Sequence, residues 1–195
     1  MLPDPANMTA ANEKLGPGHM VLVVGPSGAG KDTLLGALQE RLASRQDIHF
    51  ARRAITRSAD VAAEDHDTLT LNDFRHLVET GNVALAWEAH GLGYIIPSRY
   101  DDAIRQGDTV IANGSRRALS EAIGKYQNVT VLLITAPIEI LADRLAERGR
   151  ESREDIKARL NRANLDVRET ENVLRIENTG TVGEAVDRII RELKI

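Results

Sequence analysis

Cysteine is absent from the 195-residue chain, which excludes disulfide bonds and metal sites built on thiolates. An excess of basic residues is also missing. The formal net charge is −4 at pH 7, whereas nucleic-acid-binding proteins usually present a basic surface. The sequence has no G-x-S-x-G motif, the common signature of a nucleophilic serine. Any basic site must therefore be local, and covalent catalysis is not indicated.

Long apolar runs are missing as well. No run approaches the roughly 18 residues of a membrane span, and the N-terminus lacks the basic-then-apolar pattern of a secretion signal. We therefore expect neither nucleic acid nor membrane as a partner. Residues 1–18 are rich in proline and glycine and lack periodicity, so we expect a flexible leader and a fold that begins near His19.

A glycine-rich motif is present between a predicted strand and a predicted helix. Residues 20–24 are apolar, and leucines follow the motif at helical spacing. The motif GPSGAGKDT has the G-x-x-x-x-G-K spacing of a P-loop, in which backbone N–H groups converge on phosphate oxygens and Lys31 reaches the β- and γ-phosphates. We expect ATP to bind here, on Gly25, Pro26, Ser27, Gly28, Ala29, Gly30, Lys31, Asp32 and Thr33.

One position departs from the P-loop pattern. The Ser or Thr that usually follows the lysine and holds Mg²⁺ is replaced by Asp32, with Thr33 next. Asp32 has two interpretations: a carboxylate that stabilises the start of a helix, or a ligand of Mg²⁺, directly or through water. We favour the second, because a carboxylate beside a triphosphate would be repelled without a cation between them. Whether Asp32 or Thr33 binds the metal stays open.

Strand and helix patterns alternate along the chain, which predicts an α/β protein of three layers around a mostly parallel sheet. Residues 109–112 are predicted to form a strand, an apolar run that suits a doubly covered strand occurs at 129–135, and residues 53–68 lack any period. The length favours one domain, residues 19–195. Within it we expect a small strand-rich insert at about 53–98 that binds the acceptor, and a helical lid at about 144–162.

Arginines mark a second phosphate site. Guanidinium groups bind phosphate bidentately, and arginines follow the predicted strand ends where ligands of α/β proteins collect. Alternatively, each of them is an ordinary solvated surface residue. A further basic group in the lid either forms salt bridges or closes over the triphosphate and excludes water. The acceptor-side arginines are Arg52, Arg53, Arg57, Arg99, Arg116 and Arg117, and those of the lid are Arg144, Arg148, Arg150, Arg153, Arg159 and Arg162.

A set of motifs resembles the guanylate kinase-like enzymes in content and order. These are GPSGAGKDT at 25–33, ITR at 55–57, the strand with Trp87, His90 and Tyr94, and RLAERGR at 144–150. Within that superfamily the sequence is most similar to the ribose 1,5-bisphosphate phosphokinase family, through Asp32 and the stretches FARR at 50–53, EDHD at 64–67, HGL at 90–92 and NGSR at 113–116. The match covers nearly everything after the leader.

The resemblance implies a P-loop nucleoside-monophosphate-kinase-like fold and a cytoplasmic kinase with ATP and Mg²⁺ as cofactors. The γ-phosphoryl group of ATP would pass to ribose 1,5-bisphosphate and give 5-phosphoribosyl 1-diphosphate (PRPP), in phosphonate degradation. The implied catalytic residues are Lys31, Arg57 and Arg148, with Arg148 as the charge that the lid brings. The acceptor-side residues are Arg53, Arg57, Glu64, Asp67, Tyr94 and Arg116.

Two departures from guanylate kinases bear on the acceptor. Leu85 stands where a carboxylate would read guanine, so recognition of a base is not expected. The usual Tyr-Gly step is Tyr94-Ile95, which leaves the contact of Tyr94 with phosphate open. The alternatives are a kinase of GMP and a non-catalytic binding module of the same fold. The sequence leaves the oligomeric state open.

Overall fold

The computed structural model describes residues 13–57, 66–147, 153–162 and 172–195. The strands in this part of the chain are β1 (Leu15–Val24), β2 (Ile48–Ala51), β3 (Ala54–Ile55), β4 (Asp67–Thr68), β5 (Val83–Ala89), β6 (Leu92–Pro97), β7 (Thr109–Asn113), β8 (Tyr126–Thr135) and β9 (Val173–Glu177). The helices are α1 (Lys31–Arg41), α2 (Leu71–Glu79), α3 (Arg99–Gln106), α4 (Leu119–Lys125), α5 (Ile138–Ala146), α6 (Arg153–Arg162) and α7 (Val182–Leu193).

The central sheet has five parallel strands in the order β2-β7-β1-β8-β9. β1 lies in the middle and is almost fully buried from Met20 to Val24, because helices cover both faces of the sheet. Its side chains alternate between two apolar clusters. One contains Met20 and Leu22 with α3 and α4, and the other contains Val21 and Val23 with α1, α5, α6 and α7. The predicted three-layer α/β fold is confirmed.

A second, smaller sheet has four strands in the order β4-β3-β6-β5. β3 and β6 run antiparallel, as do β5 and β6, whereas β3 and β4 are parallel. Helix α2 packs on this sheet through Phe74, next to Val83 and Ile95. The sheet and the helix fall within the range predicted for the insert. Residues 53–68, which lack any period in the sequence, include β3 and β4, strands of two residues each that are too short for periodicity to reveal.

The first strand begins earlier than the expected start at His19. Leu15 pairs with Tyr126, and the register shifts between Leu15 and His19, where Gly16, Pro17 and Gly18 lie. Such an irregularity accommodates a proline, which has no N–H to donate to the ladder. Residues 1–12 of the predicted leader lie outside the described residues. Tyr126 continues the helical spacing of Leu119, Ala122 and Ile123, which predicts a helix there, but it instead opens β8.

None of the described helices combines the length and the apolar character that crossing a bilayer requires.

Candidate active site

The P-loop lies between the end of β1 and the start of α1, at the carboxyl edge of the central sheet. Gly30 adopts φ +86° as the N-cap of α1, a conformation that favours glycine. A Cβ on Gly25 would collide with the carbonyl oxygen of Ile134 on β8. The Lys31 Nζ donates to the carbonyl oxygens of Gly25 (2.9 Å) and Pro26 (3.1 Å). Lys31 therefore lies along the loop that would hold the phosphates.

A buried asparagine supports the P-loop from behind, which the sequence analysis missed. Asn178 follows β9 and is only 6% exposed. Its Nδ2 donates to the Ala29 carbonyl oxygen at 2.8 Å, and its backbone N–H donates to Thr135 at 2.7 Å. Arg144 of α5 donates to the carbonyl oxygens of Asn178 (3.0 Å) and Gly28 (3.4 Å). The position of Asn178 directly after a strand end was the signal that could have revealed it.

One cavity of about 460 Å³ unites the P-loop with the acceptor-side elements. It brings together the P-loop, the small sheet, the turn after β5 and the loop after β7. Among the predicted site residues, those that line it are Gly25, Pro26, Ser27, Gly28, Gly30, Lys31, Asp32, Thr33, Arg53, Arg57, Tyr94 and Arg116. Ala29 is fully buried beneath the loop.

The cavity is basic in an otherwise acidic chain. Lys31, Arg53, Arg57 and Arg116 line it, and Asp32 is the one acidic side chain among the described residues of its wall. In a partly enclosed cleft, such a concentration of positive charge raises the local concentration of anions. Residues of this kind at the carboxyl edge of a parallel sheet suit a ligand that bears several phosphate groups.

Aromatic side chains form the wall of the cavity on the small sheet. The rings of Trp87 and Tyr94, paired across β5 and β6, stack with centroids 5.3 Å apart and an interplanar angle of 4°. The Arg53 guanidinium lies 5.9 Å from the centroid of the Tyr94 ring, within the range of a cation–π contact. Ile95 points to the opposite face, where it packs with Phe74. Replacement of the usual glycine by Ile95 thus leaves Tyr94 on the cavity wall.

The hairpin between β5 and β6 places His90 at the cavity. His90 and Gly91 both have positive φ, 54° and 74°, as expected for a two-residue turn that matches the twist of the strands. His90 lines the cavity. His66, the histidine of the EDHD motif, lies beside β4 and is not among the residues of the described cavity wall.

Several other predicted residues lie away from the cavity. The Asp67 carboxylate pairs with Arg52 at 2.7 Å, and Asp67 is not part of the described cavity lining. Arg99 lies over the ring of Tyr100 at 4.9 Å, and Arg117 donates to the Glu88 carbonyl oxygen at 2.7 Å. The arginines therefore divide into a group at the cavity and a group with structural contacts. Glu64, Arg148 and Arg150 lie outside the described residues.

Leu85 is fully buried in the core between the two sheets. An apolar side chain at this position offers no acceptor for the N–H groups of a purine edge. Leu85 is not among the residues of the described cavity wall, so the expectation that no base is recognised stays a prediction.

Helices α5 and α6 cover one side of the P-loop. Leu160 of α6 lines the cavity, and Arg153 binds Asp143 and Glu139 of α5. The Arg153 guanidinium lowers the pKa of the exposed Asp143 carboxyl. Of the basic residues predicted for the lid, Arg153 therefore forms salt bridges, whereas Arg144 contacts the P-loop backbone. The role of Arg148 at the transferred phosphoryl group stays a prediction.

Acidic and histidine side chains do not form a metal cluster of three or more in the part of the chain that the structure describes. Asp32 contacts Asn113, the last residue of β7, whose Nδ2 donates to Asp32 Oδ1 at 2.7 Å. Mg²⁺ at nucleotide sites commonly uses one or two protein ligands and completes its shell with phosphate oxygens and water. The observed side chains are compatible with such a site.

Comparison with known proteins identifies close relatives. A family model described as an AAA domain matches residues 21–171. The ribose 1,5-bisphosphate phosphokinase PhnN of Rhizobium etli (strain CIAT 652) is 45% identical over 173 residues, which cover 89% of this chain and 88% of the relative. The protein of the same name from Rhodopseudomonas palustris (strain ATCC BAA-98 / CGA009) is 51% identical over 149 residues, 76% of each chain.

A solved structure supports the fold. Guanylate kinase from Anaplasma phagocytophilum superimposes with a TM-score of 0.62 at 18% identity, over 93% of this chain and 86% of that chain. At this identity the likeness concerns the fold alone. The small sheet and the five-stranded parallel sheet thus belong to an architecture found in kinases.

Proposed function

Since the chain belongs to the ribose 1,5-bisphosphate phosphokinase family, we propose that it transfers the γ-phosphoryl group of ATP to the 1-phosphate of ribose 1,5-bisphosphate, which yields PRPP. The observation that carries the proposal is the cavity of about 460 Å³, in which the P-loop lysine and three arginines face the same space. A P-loop by itself does not distinguish a kinase from a nucleotide hydrolase. The arginine-lined half supplies a place for an acceptor that already bears phosphate.

The reaction needs no general base in this proposal. An oxygen of the 1-phosphate attacks the γ-phosphorus, the bond from that phosphorus to the β–γ bridging oxygen breaks, and ADP leaves. Phosphate oxygens of the acceptor are mostly ionised near neutral pH, so no proton has to be removed first. This fits a cavity whose charged side chains, among the described residues of its wall, are cations apart from Asp32. His90 contacts substrate rather than acting as the base.

The side chains of the cavity position the two anions and neutralise charge. Lys31 shifts from the carbonyl groups of Gly25 and Pro26 to the β- and γ-phosphates, and Arg57 and Arg116 hold the acceptor phosphates. Arg53, fixed over Tyr94, assists at the same side. We expect Arg148 to supply positive charge at the transferred phosphoryl group. Asp32 would hold Mg²⁺, which would supply neutralisation of the charge on the phosphates of ATP.

Recognition of the acceptor excludes a nucleobase in this proposal. The stacked Trp87 and Tyr94 form an apolar wall that suits the ring of a sugar, and buried Leu85 offers no partner to guanine. A ribose bisphosphate has no nucleobase, so no hydrogen-bonding groups of a base would be left without partners in the site. We propose that the protein acts in the cytoplasm, where ATP is available, and contributes to phosphonate degradation.

The test is a direct analysis of the product. The protein is incubated with Mg²⁺, ATP and ribose 1,5-bisphosphate, and ³¹P NMR is expected to show a new diphosphate at C1 together with ADP. A parallel reaction with GMP and a reaction with Lys31→Ala serve as controls. Formation of ADP without the sugar diphosphate, or faster turnover with GMP, would contradict the proposal.

A further inference from the structure

Asp32 and Asn113 form a contact between two elements that meet at the phosphate edge of the sheet. Asp32 is the second residue of α1, and Asn113 ends β7, which pairs in parallel with β1 so that Asn113 lies opposite Val23. The Asn113 Nδ2 donates to Asp32 Oδ1 at 2.7 Å. Both side chains line the cavity. An amide and a carboxylate are thus held together beside the proposed position of the triphosphate.

The other end of the Asn113 amide carries the stronger signal. Its Oδ1 is buried and lacks a hydrogen-bond partner among the described residues. Buried acceptors in folded proteins nearly always have a partner, and each exception calls for an explanation such as a bound ion. Rotation of the amide by half a turn would direct Oδ1 toward Asp32. Two oxygens facing each other repel unless a cation lies between them.

The ligand types at these two positions are the reverse of those in other P-loop enzymes. In P-loop NTPases the Mg²⁺ is held by a Ser or Thr of the P-loop and by an Asp at the end of a neighbouring strand. Here the P-loop helix carries Asp32, and the neighbouring strand ends in the neutral Asn113. Each arrangement supplies one carboxylate and one neutral oxygen, which keeps the charge of the site unchanged.

We infer that Asp32 and Asn113 are the two protein ligands of the magnesium site, with the carboxylate and the neutral oxygen in exchanged positions. This inference rests on the proposed function, because it assumes a Mg²⁺–ATP complex in the P-loop. Asp32 and Asn113 both differ from the residues that P-loop NTPases have at these positions, and one exchange of ligand types explains both differences. In the absence of the cation, the Asn113 amide nitrogen donates a hydrogen bond to the Asp32 carboxylate. When the cation binds, the amide oxygen replaces the nitrogen.

The test is a reciprocal exchange of the ligands without any acceptor present. Affinity for a non-hydrolysable ATP analogue is measured by calorimetry at a series of Mg²⁺ concentrations. Asp32→Ser is expected to raise the Mg²⁺ concentration for half-maximal binding by at least about tenfold, since even outer-sphere partners of metals are worth that much. The double variant Asp32→Ser with Asn113→Asp restores one hydroxyl and one carboxylate and should recover most of the loss.

The single variant Asn113→Asp gives a readout that does not depend on nucleotide. It places two carboxylates in contact, so the metal-free protein should unfold at a lower temperature and regain stability when Mg²⁺ or Mn²⁺ is added. Asn82→Asp is the matched control. It makes the same replacement on an exposed turn, where the oxygen can still accept from Ser98. The control should show no cation dependence.

The inference is overturned if the double variant is no better than Asp32→Ser, or if Asn113→Ala leaves the Mg²⁺ dependence unchanged. Failure of the proposed function gives a different result. If the protein bound no ATP analogue at all, or bound it and failed to phosphorylate ribose 1,5-bisphosphate, the wild-type protein alone would reveal this. The exchange of ligands is measured separately from the identity of the acceptor.

Discussion

Removal of the Asn178 side chain should weaken both the fold and the nucleotide site. The Asn178→Ala variant loses the bond from Nδ2 to the Ala29 carbonyl oxygen, which measures 2.8 Å and lies in a fully buried part of the P-loop. A buried acceptor left without its donor costs about 1–3 kcal/mol. For a domain of this size, each kcal/mol shifts the midpoint of thermal unfolding by about 2–4 °C. The expected decrease is therefore about 2–12 °C.

The effect on nucleotide binding follows from the same geometry. Asn178 Nδ2 also fills the space beside Gly30, so its loss frees the P-loop backbone next to the amides that would hold phosphate. We expect weaker binding of ATP by calorimetry. Asn178→Asp distinguishes the loss of the hydrogen bond from the effect of the cavity that alanine leaves. Aspartate has nearly the same size as asparagine, but it places an acceptor instead of a donor against the Ala29 carbonyl oxygen.

Asn82→Ala is the control for Asn178→Ala. It removes an amide from an exposed position whose side chain accepts from Ser98, and such bonds contribute less than buried ones. Thermal unfolding is followed by circular dichroism for each variant. If Asn178→Ala unfolded at the same temperature as Asn82→Ala and bound ATP as wild type does, the support that we assign to Asn178 would be refuted.

Three further predictions concern the roles proposed for individual side chains and the burial of His19. Lys31→Ala and Arg148→Ala should each lower kcat by about 10²–10⁴-fold, because we expect both side chains to stabilise the transition state. Unchanged turnover in steady-state assays would exclude a catalytic role for the residue that was replaced. Arg57→Ala should raise KM for the sugar bisphosphate more than KM for ATP, because it removes an acceptor-phosphate contact; equal changes would contradict this. Burial lowers the pKa of His19 from 6.5, so the unfolded chain binds the proton first and stability should fall as pH decreases below that value. Urea unfolding at about pH 7.5 and 5.5 should show a smaller loss for His19→Gln than for wild type, and an equal loss would refute the assignment.

The resemblance stated from motifs is confirmed by the relatives, and the α/β fold is confirmed by the structure. Both depend on local signals. The P-loop is contiguous in sequence, and the apolar residues of β7 and β8 indicate that both faces of the sheet are covered. Errors occurred where local signals were weak. β3 and β4 have two residues each, which is too short for a period, and Tyr126 continued a helical pattern that the strand interrupts.

Tertiary structure decided which of the arginines share the cavity. In sequence, Arg53 and Arg52 are neighbours with the same surroundings, yet Arg53 lies over Tyr94 whereas Arg52 pairs with Asp67. Adjacent residues of an extended segment point to opposite sides. Their roles therefore depend on which neighbour each side meets, and that neighbour comes from a distant part of the chain.

The sequence by itself determined the phosphate-binding loop, the layered fold and the family, because each depends on contiguous motifs or on the hydrophobic periodicity of short segments. Only the tertiary structure decided that Asn178 supports the P-loop and that Asn113 faces Asp32. Asn178 lies 149 positions from Ala29, and Asn113 lies 81 positions from Asp32. Parallel strands bring such distant residues together at one edge of the sheet, and no local pattern along the chain records that meeting.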